Sequence, residues 1–136
     1  MRSSARAWMV GAAVIILFML GLRAFPEGTR LLQISIVAVL VVASAVTAWF
    51  APRHKILLGA SHALLYNGVA ALVNVTAMAT NPAYTVDLSA ALILFAHDLL
   101  VSLPFAIVIT LAGSLVGWLA ARSARRRRPA SRTSSL

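Results

Sequence analysis

Hydrophobic positions run along this chain in long blocks rather than alternating with polar ones, and turn residues mark off four such blocks. The first runs from Ala7 to Phe25 and is closed by Pro26-Glu27-Gly28; the second, Leu31 to Ala51, stops at Pro52-Arg53-His54-Lys55. The third, Ile56 to Ala79, ends at Thr80-Asn81-Pro82, and the fourth runs from about Leu88 to Ala121. Crossing about 30 Å of hydrocarbon takes about 20 apolar residues at about 1.5 Å each. The blocks therefore predict an all-α integral membrane protein, a bundle of four transmembrane helices over 7–25, 31–51, 56–79 and 88–121.

The fourth block is too long for one perpendicular crossing, since a helix over 88–121 would be about 51 Å long. Either 88–97 lies along the interface and the crossing is confined to about 99–121, or a single tilted helix runs the whole way, bent near Pro104. No turn residue separates Asp98 from what precedes it, which favours the continuous helix. Both arrangements put Asp98 near a boundary, and a carboxylate at the bilayer centre costs about 2.5–3.5 kcal/mol on insertion scales.

Composition removes the alternatives. The chain has 136 residues, 61% hydrophobic and 11% charged, whereas a soluble domain is about 45–50% apolar and about 25% charged. With no cysteine, it has neither a disulfide scaffold nor thiolate metal ligands. The formal net charge of +9 raises nucleic acid as a partner, but the placement of the cations speaks for topology. Six arginines (Arg122, Arg125, Arg126, Arg127, Arg128 and Arg132) lie in the last 15 residues, and Arg2, Arg6, Arg53 and Lys55 flank apolar blocks. With both termini inside, ten cations lie on the cytoplasmic side and only Arg23 and Arg30 outside, as the positive-inside rule requires. Arg53, Lys55 and Arg125 to Arg128 thus read as topology anchors and lipid-headgroup contacts. Residues 1–121 form the transmembrane domain, and 122–136 a basic, disordered cytoplasmic tail with nothing to bury. Arg2 and Arg6 ahead of Met9 to Leu22 have the layout of a signal peptide, but Arg23 follows directly without a small-x-small site, so the segment reads as an uncleaved anchor. Arginine outnumbers lysine eleven to one, which fits a high-GC bacterial genome and an inner or plasma membrane location.

Small residues supply the surfaces on which membrane helices meet, because lipid gives them no hydrophobic drive to associate. The fourth helix carries Gly113-x-x-x-Gly117-x-x-x-Ala121 on one face; Gly59-x-x-x-Ala63 and Ser44-x-x-x-Ala48 are fainter versions. Such a stripe closes the monomer or joins two copies, and spacing alone does not separate these cases. Polar side chains inside spans are the usual pointers to function. The third span carries Ser61, His62, Tyr66, Asn67, Asn74 and Thr76. Asn67 and Asn74 share a face with Ala60, Ala63, Ala71 and Met78; His62 and Tyr66 form a second pair one turn apart. These residues read as interhelical hydrogen-bonding groups or as the lining of a pathway. Asn74, near the outer end of the third span, and Asp98, where the fourth begins to cross, are at matching depth and are expected to meet. Asp98 and Ser102, one turn apart, are candidates for a shared hydrogen bond, whereas His97 and Asp98 point about 100° apart on a helix and are not expected to pair.

Enzyme chemistry has little to build on. No nucleophile–base–acid set, HExxH or Walker lysine is present, the glycines lack a dinucleotide-binding context, and the sequon at Asn74 lies inside a span. No motif ties the chain to a group of small four-span exporters or channels. No cofactor is expected, and the partners are the lipid bilayer and a second copy or a larger membrane complex, not nucleic acid. The expectation is a non-enzymatic accessory or scaffold subunit or homo-oligomer. The competing readings are a small oligomeric transporter or channel with a polar path along the third span, and a holin-like pore former.

Overall fold

A computed structural model of the protein describes residues 4–21, 30–83 and 87–126. It is all-helical, with α1 Ser4–Gly21, α2 Arg30–Phe50, α3 Lys55–Ala60, α4 His62–Thr80 and α5 Leu88–Arg126. Four helical stretches (Ser4–Gly21, Arg30–Phe50, α3 with α4 over Lys55–Thr80, and Leu88–Arg126) are long and apolar enough to cross a membrane. Many of their residues are Val and Ile, which are indifferent helix formers in water; where no water competes, the helix is what satisfies every backbone group within one segment.

The punctuation residues act where the sequence places them. Pro52 disfavours helical geometry at the residue before it, and α2 stops at Phe50, although the Ala51 N–H still donates to the Thr47 carbonyl at 2.9 Å. His54 reverses the chain in the left-handed region, at φ 48°, and its carbonyl accepts the Leu58 N–H at 2.9 Å. Asn81, extended ahead of Pro82, ends α4, and its Oδ1 accepts the Ala83 N–H at 3.0 Å. Asp87 caps α5, Oδ1 accepting the Ala90 N–H at 2.7 Å and the Ser89 hydroxyl at 2.8 Å. Those bonds, the Ala90 one foremost, hold the exposed Asp87 carboxyl below the ordinary carboxylate value.

Two boundaries differ from the sequence reading. The third span, expected as one helix over 56–79, is interrupted at Ser61. There the Leu58 carbonyl is engaged by side chains, accepting the Ser61 hydroxyl at 2.8 Å and facing His62 Nδ1 at 3.2 Å. The basic segment, expected to be disordered from residue 122, stays helical through Arg126; Arg127 and Arg128 lie outside the described residues, as do 22–25 of the first expected span. The fourth span is one continuous helix of 39 residues, about 58 Å long. Pro104 sits inside it and withholds a donor from the Leu100 carbonyl, yet the helix continues on both sides.

The small-residue stripes pack against one another within the single chain. Gly113 lies against Val41 and Ser44 of α2, and Gly117 against Ala45, so α2 and α5 run parallel. A Cβ on Gly113 would stand 2.6 Å from the Val41 carbonyl oxygen, and one on Gly117 would stand 2.7 Å from both Cα and carbonyl C of Ala45. Gly59 of α3 fits between the Ser44 carbonyl and the Ser114 side chain, and Gly11 of α1 fits against Ala43, Thr47 and His62. Ala48, Ala63 and Ala121, from all three stripes, are buried. The stripe on α5 therefore closes the monomer.

Burial is confined to one end. Buried positions are Ala7 to Ile15 on α1, Leu40 to Ala48 on α2, His62 to Ala71 on α4 and Ala106 to Ala121 on α5. No described residue of α4 beyond Ala71, or of α5 before Ala106, is buried. The bundle is sealed at the end holding the start of α1, the 51–54 turn and the close of α5. At the opposite end, the splayed end, the described residues are exposed or only partly buried.

This packing makes the glycines unequal. Gly117→Ala forces the α2 and α5 backbones apart and is expected to destabilise the bundle by about 1–3 kcal/mol, the usual range for overpacking. Gly68 and Gly21 face open space, so Gly68→Ala and Gly21→Ala should stay within about 0.5 kcal/mol of the parent; thermal unfolding in mild detergent reads the difference.

Candidate functional site

The structure sorts the polar residues into an enclosed set at the sealed end and an accessible set at the splayed end. At the centre of the first is His62, fully buried at the first position of α4. Its Nε2 lies 3.3 Å from Thr47 Oγ1 on α2, and that hydroxyl also reaches the Ala7 carbonyl of α1 at 3.3 Å. The ring meets Trp8 edge-on, with centroids 5.5 Å apart. Trp8 Nε1 donates to Ser61 Oγ at 2.9 Å, and Ser61 passes a hydrogen bond on to Leu58. The single Thr47 hydroxyl hydrogen faces both the Ala7 carbonyl and His62 Nε2, and in the tautomer with its proton on Nδ1 the imidazole has the Leu58 carbonyl as acceptor. The arrangement ties α1, α2 and the α3–α4 junction together.

Asn67 is enclosed as well, 1% exposed, with its Nδ2 donating to the Ala63 carbonyl one turn back at 2.7 Å. Tyr66 is half-buried and packs against the cluster of Ile15, Leu40, Ala43, Ala63 and Ala106. Among the described residues no buried side-chain nitrogen or oxygen lacks a partner. The polar face of the third span is consequently divided: its inner half, Asn67 with Ala63 and Ala71, is buried, while Asn74 is exposed.

At the splayed end Asn74 Nδ2 donates to Asp98 Oδ2 at 3.2 Å, which joins α4 to α5 at the depth the sequence suggested. The expectation for His97 needs correction. Its Nδ1 comes within 3.8 Å of Asp98 Oδ1, because both side chains are exposed and long enough to curl round the helix towards each other. At that distance the two form an ion pair when the ring is protonated, not a hydrogen bond. The expected Asp98–Ser102 bond is made by the backbone instead, Ser102 Oγ donating to the Asp98 carbonyl at 2.6 Å. A cleft of about 560 Å³ opens between the splayed halves of α2 and α5, lined by Gln33, Ile34, Ile36, Val37 and Phe105. None of the third span's polar residues lines it.

The expected packing residues Gly113, Gly117 and Ala121 are all buried, whereas the expected headgroup residues Arg53, Arg125 and Arg126 are exposed and Lys55 is half-buried. The sequence reading did not single out Thr47, Trp8 or Ser61 as partners of His62. Ser44 and Thr47, three apart on one face of α2, were the available signal. Among the described residues, no group of three or more His, Cys, Asp or Glu is placed to hold a metal ion. Comparison with protein families, with characterised proteins and with solved structures finds no match.

The division into enclosed and accessible sets has a direct readout, since the chain contains no cysteine. Asn67→Cys is expected to stay unlabelled by a membrane-impermeant maleimide in the folded protein, whereas Asn74→Cys reacts. Reaction at position 67 at a rate comparable to that at 74 would place water along the inner half of α4.

Proposed function

We propose that this chain is a non-enzymatic accessory subunit of a membrane complex, sealed at its cytoplasmic end and open at its outer end to a helix of a partner protein. The observation that carries the reading is Asp98, a carboxylate on a long apolar helix, 38% exposed, whose neighbours are the Asn74 amide and a histidine at 3.8 Å.

Depth sharpens the argument. Twenty residues cover the hydrocarbon layer. Counted back from Arg122 along α5 they reach Ser102, and counted forward from Lys55 along the third span they reach Val75. Asn74 is then at the outer boundary and Asp98 about 6 Å beyond it. The start of α5 projects further still, with Leu92 and Ile93 exposed at 60% and 68%. Such a surface extends past the lipid that would cover it, with a carboxyl group at its base. A partner helix bearing Lys or Arg near the outer boundary fits both features, since charged groups in this setting persist when paired. What favours a subunit over a polar pathway is the enclosure of His62 and Asn67, the residues a path along the third span would need.

The orientation follows from charge. By sequence, Arg2, Arg6, Arg53, Lys55 and the six arginines after Ala121 flank the spans on one side and Arg23 and Arg30 on the other, so both termini are assigned to the cytoplasm of a bacterial cell. Fusions of a cytoplasm-active and an export-active reporter to each end are expected to give only the cytoplasmic signal at both.

The subunit reading is tested by recovering the full chain from its native membrane in mild detergent and measuring native mass. A stoichiometric complex with a second protein is expected, and Asp98→Asn should lower recovery of that protein at least about tenfold, in keeping with about 2 kcal/mol or more for truncating a charged interface pair. A partner-free monomer, or a homodimer untouched by Asp98→Asn, overturns the reading.

A further inference from the structure

The sealed end of the bundle is rich in cations and poor in anything to pair them with. Of the three acidic residues in the chain, Asp87 and Asp98 belong to the splayed end and Glu27 falls in the sequence between α1 and α2. Among the described residues, no carboxylate is paired with Arg53, Lys55, Arg122 or Arg125.

Two of these cations line one notch, and a third sits on the tryptophan that forms its other wall. Arg53 and Lys55, from the turn that leads into α3, line an open cleft of about 380 Å³ together with Ile56, Leu57 and the Trp118 side chain of α5. Arg122, one turn on from Trp118, holds its guanidinium over the indole, 5.6 Å from the ring centroid. Lys55 is set back by partial burial first, and Arg125 is near enough for its charge to act on it as well. The turn that presents Arg53 and Lys55 is fixed rather than loose. Ala51 is bonded back to Thr47 and Leu58 to His54, His54 sits in the left-handed region, and Lys55 Nζ donates to the Ala48 carbonyl at 3.3 Å. Arg53 and Lys55 thus share one cleft with Trp118, which carries Arg122 on its ring, and Leu57 in the same lining is 69% exposed.

We propose that this notch is a binding site for one anionic phospholipid, its phosphate held among Arg53, Lys55 and Arg122 and the start of its acyl chain lying on Ile56, Leu57 and Trp118. A diffuse basic tail attracts any acidic surface; this site differs in combining a rigid cation set, an interfacial tryptophan and a hydrocarbon floor in one continuous surface. Arginine suits phosphate through its forked donors, and a lysine pinned at its base adds a point charge. A free phosphate would use only the upper part of the notch and leave Leu57 and Ile56 uncovered, so the geometry selects a lipid. The proposal requires the spans to sit in a bilayer, but it is independent of any partner at Asp98.

The test uses the full chain reconstituted in phosphatidylcholine vesicles containing trace spin-labelled phosphatidylglycerol or, separately, spin-labelled phosphatidylcholine. The motionally restricted fraction of each gives their relative association with the protein. Phosphatidylglycerol is expected to be preferred. With about 1 kcal/mol for each basic side chain near the surface, Lys55→Gln should lower the preference about fivefold and Lys55→Gln with Arg122→Gln further. Lys55→Arg should keep it, and Arg127→Gln with Arg128→Gln should leave most of it intact. Each variant's thermal midpoint is read alongside, and if Lys55→Gln fails to fold, the Arg122→Gln variant carries the test. Equal association of the two lipids with the parent, or a preference that depends only on Arg127 and Arg128, overturns the site. So does loss of the preference on adding millimolar glycerol phosphate, which would identify a soluble phosphate as the occupant. Absence of a restricted component for either lipid would instead overturn insertion itself and leave the notch unoccupied for that reason.

Discussion

The bundle depends on backbones that touch. Between helices in lipid no hydrophobic force operates, so association rests on dispersion contacts, and these need atoms close together. α2 provides the surface: Val41, Ser44 and Ala45 receive Gly113 and Gly117, and the Ser44 carbonyl receives Gly59. Because glycines face it and it meets them chiefly through its own backbone at Val41, Ser44 and Ala45, α2 holds α3 and α5 within backbone contact. The hydroxyls buried there do not conflict with this packing. Ser44 donates to the Leu40 carbonyl at 2.5 Å, Thr110 to Ala106 at 2.8 Å and Ser114 to Thr110 at 2.6 Å, each one turn back along its own helix. Such residues are nearly as compact as alanine, and their polarity is satisfied locally.

The same economy explains why the other end is open. Beyond Ala71 on α4 and before Ala106 on α5, Leu72, Val73, Leu100, Val101 and Phe105 are all large and exposed. Side chains of that size keep helices apart unless they interdigitate, and here they face outward. What joins α4 to α5 at that depth is the Asn74–Asp98 hydrogen bond, a single polar contact worth about 0.6 kcal/mol on average in membrane proteins. One half of the molecule is thereby stiff, and the other is left to be completed by its surroundings.

Much of this could be read from the residues in order. Spans and breaks were legible because lipid admits few backbone solutions and because Pro52 and Pro82 act locally. The small-residue stripes were legible as spacing, but whether they faced inward or towards a second copy depended on which helices run side by side, a tertiary fact. Asn74 and Asp98 were matched by counting depth. By contrast, the break at Ser61 arises from side chains competing for the Leu58 carbonyl, and the approach of His97 to Asp98 arises from rotamers; neither has a period or a spacing. The Thr47–His62 contact joins residues fifteen apart in sequence whose helices meet only because Gly11 and Gly59 let them. Polar residues on the third span drew attention as a set, yet Asn67 is buried and Asn74 exposed.

The separation of charge along the molecule has an electrical consequence. By sequence, ten of the twelve bases flank the spans on the side of the sealed end, and the three acids with Arg23 and Arg30 lie towards the other, so the chain is strongly polarised along its length. In the orientation proposed above, transferring each charge of the arginine-rich end to the other face against 100 mV would cost about 2.3 kcal/mol. On that reading the membrane voltage would act as a latch on the inserted protein, favouring one way up for as long as the membrane stays polarised.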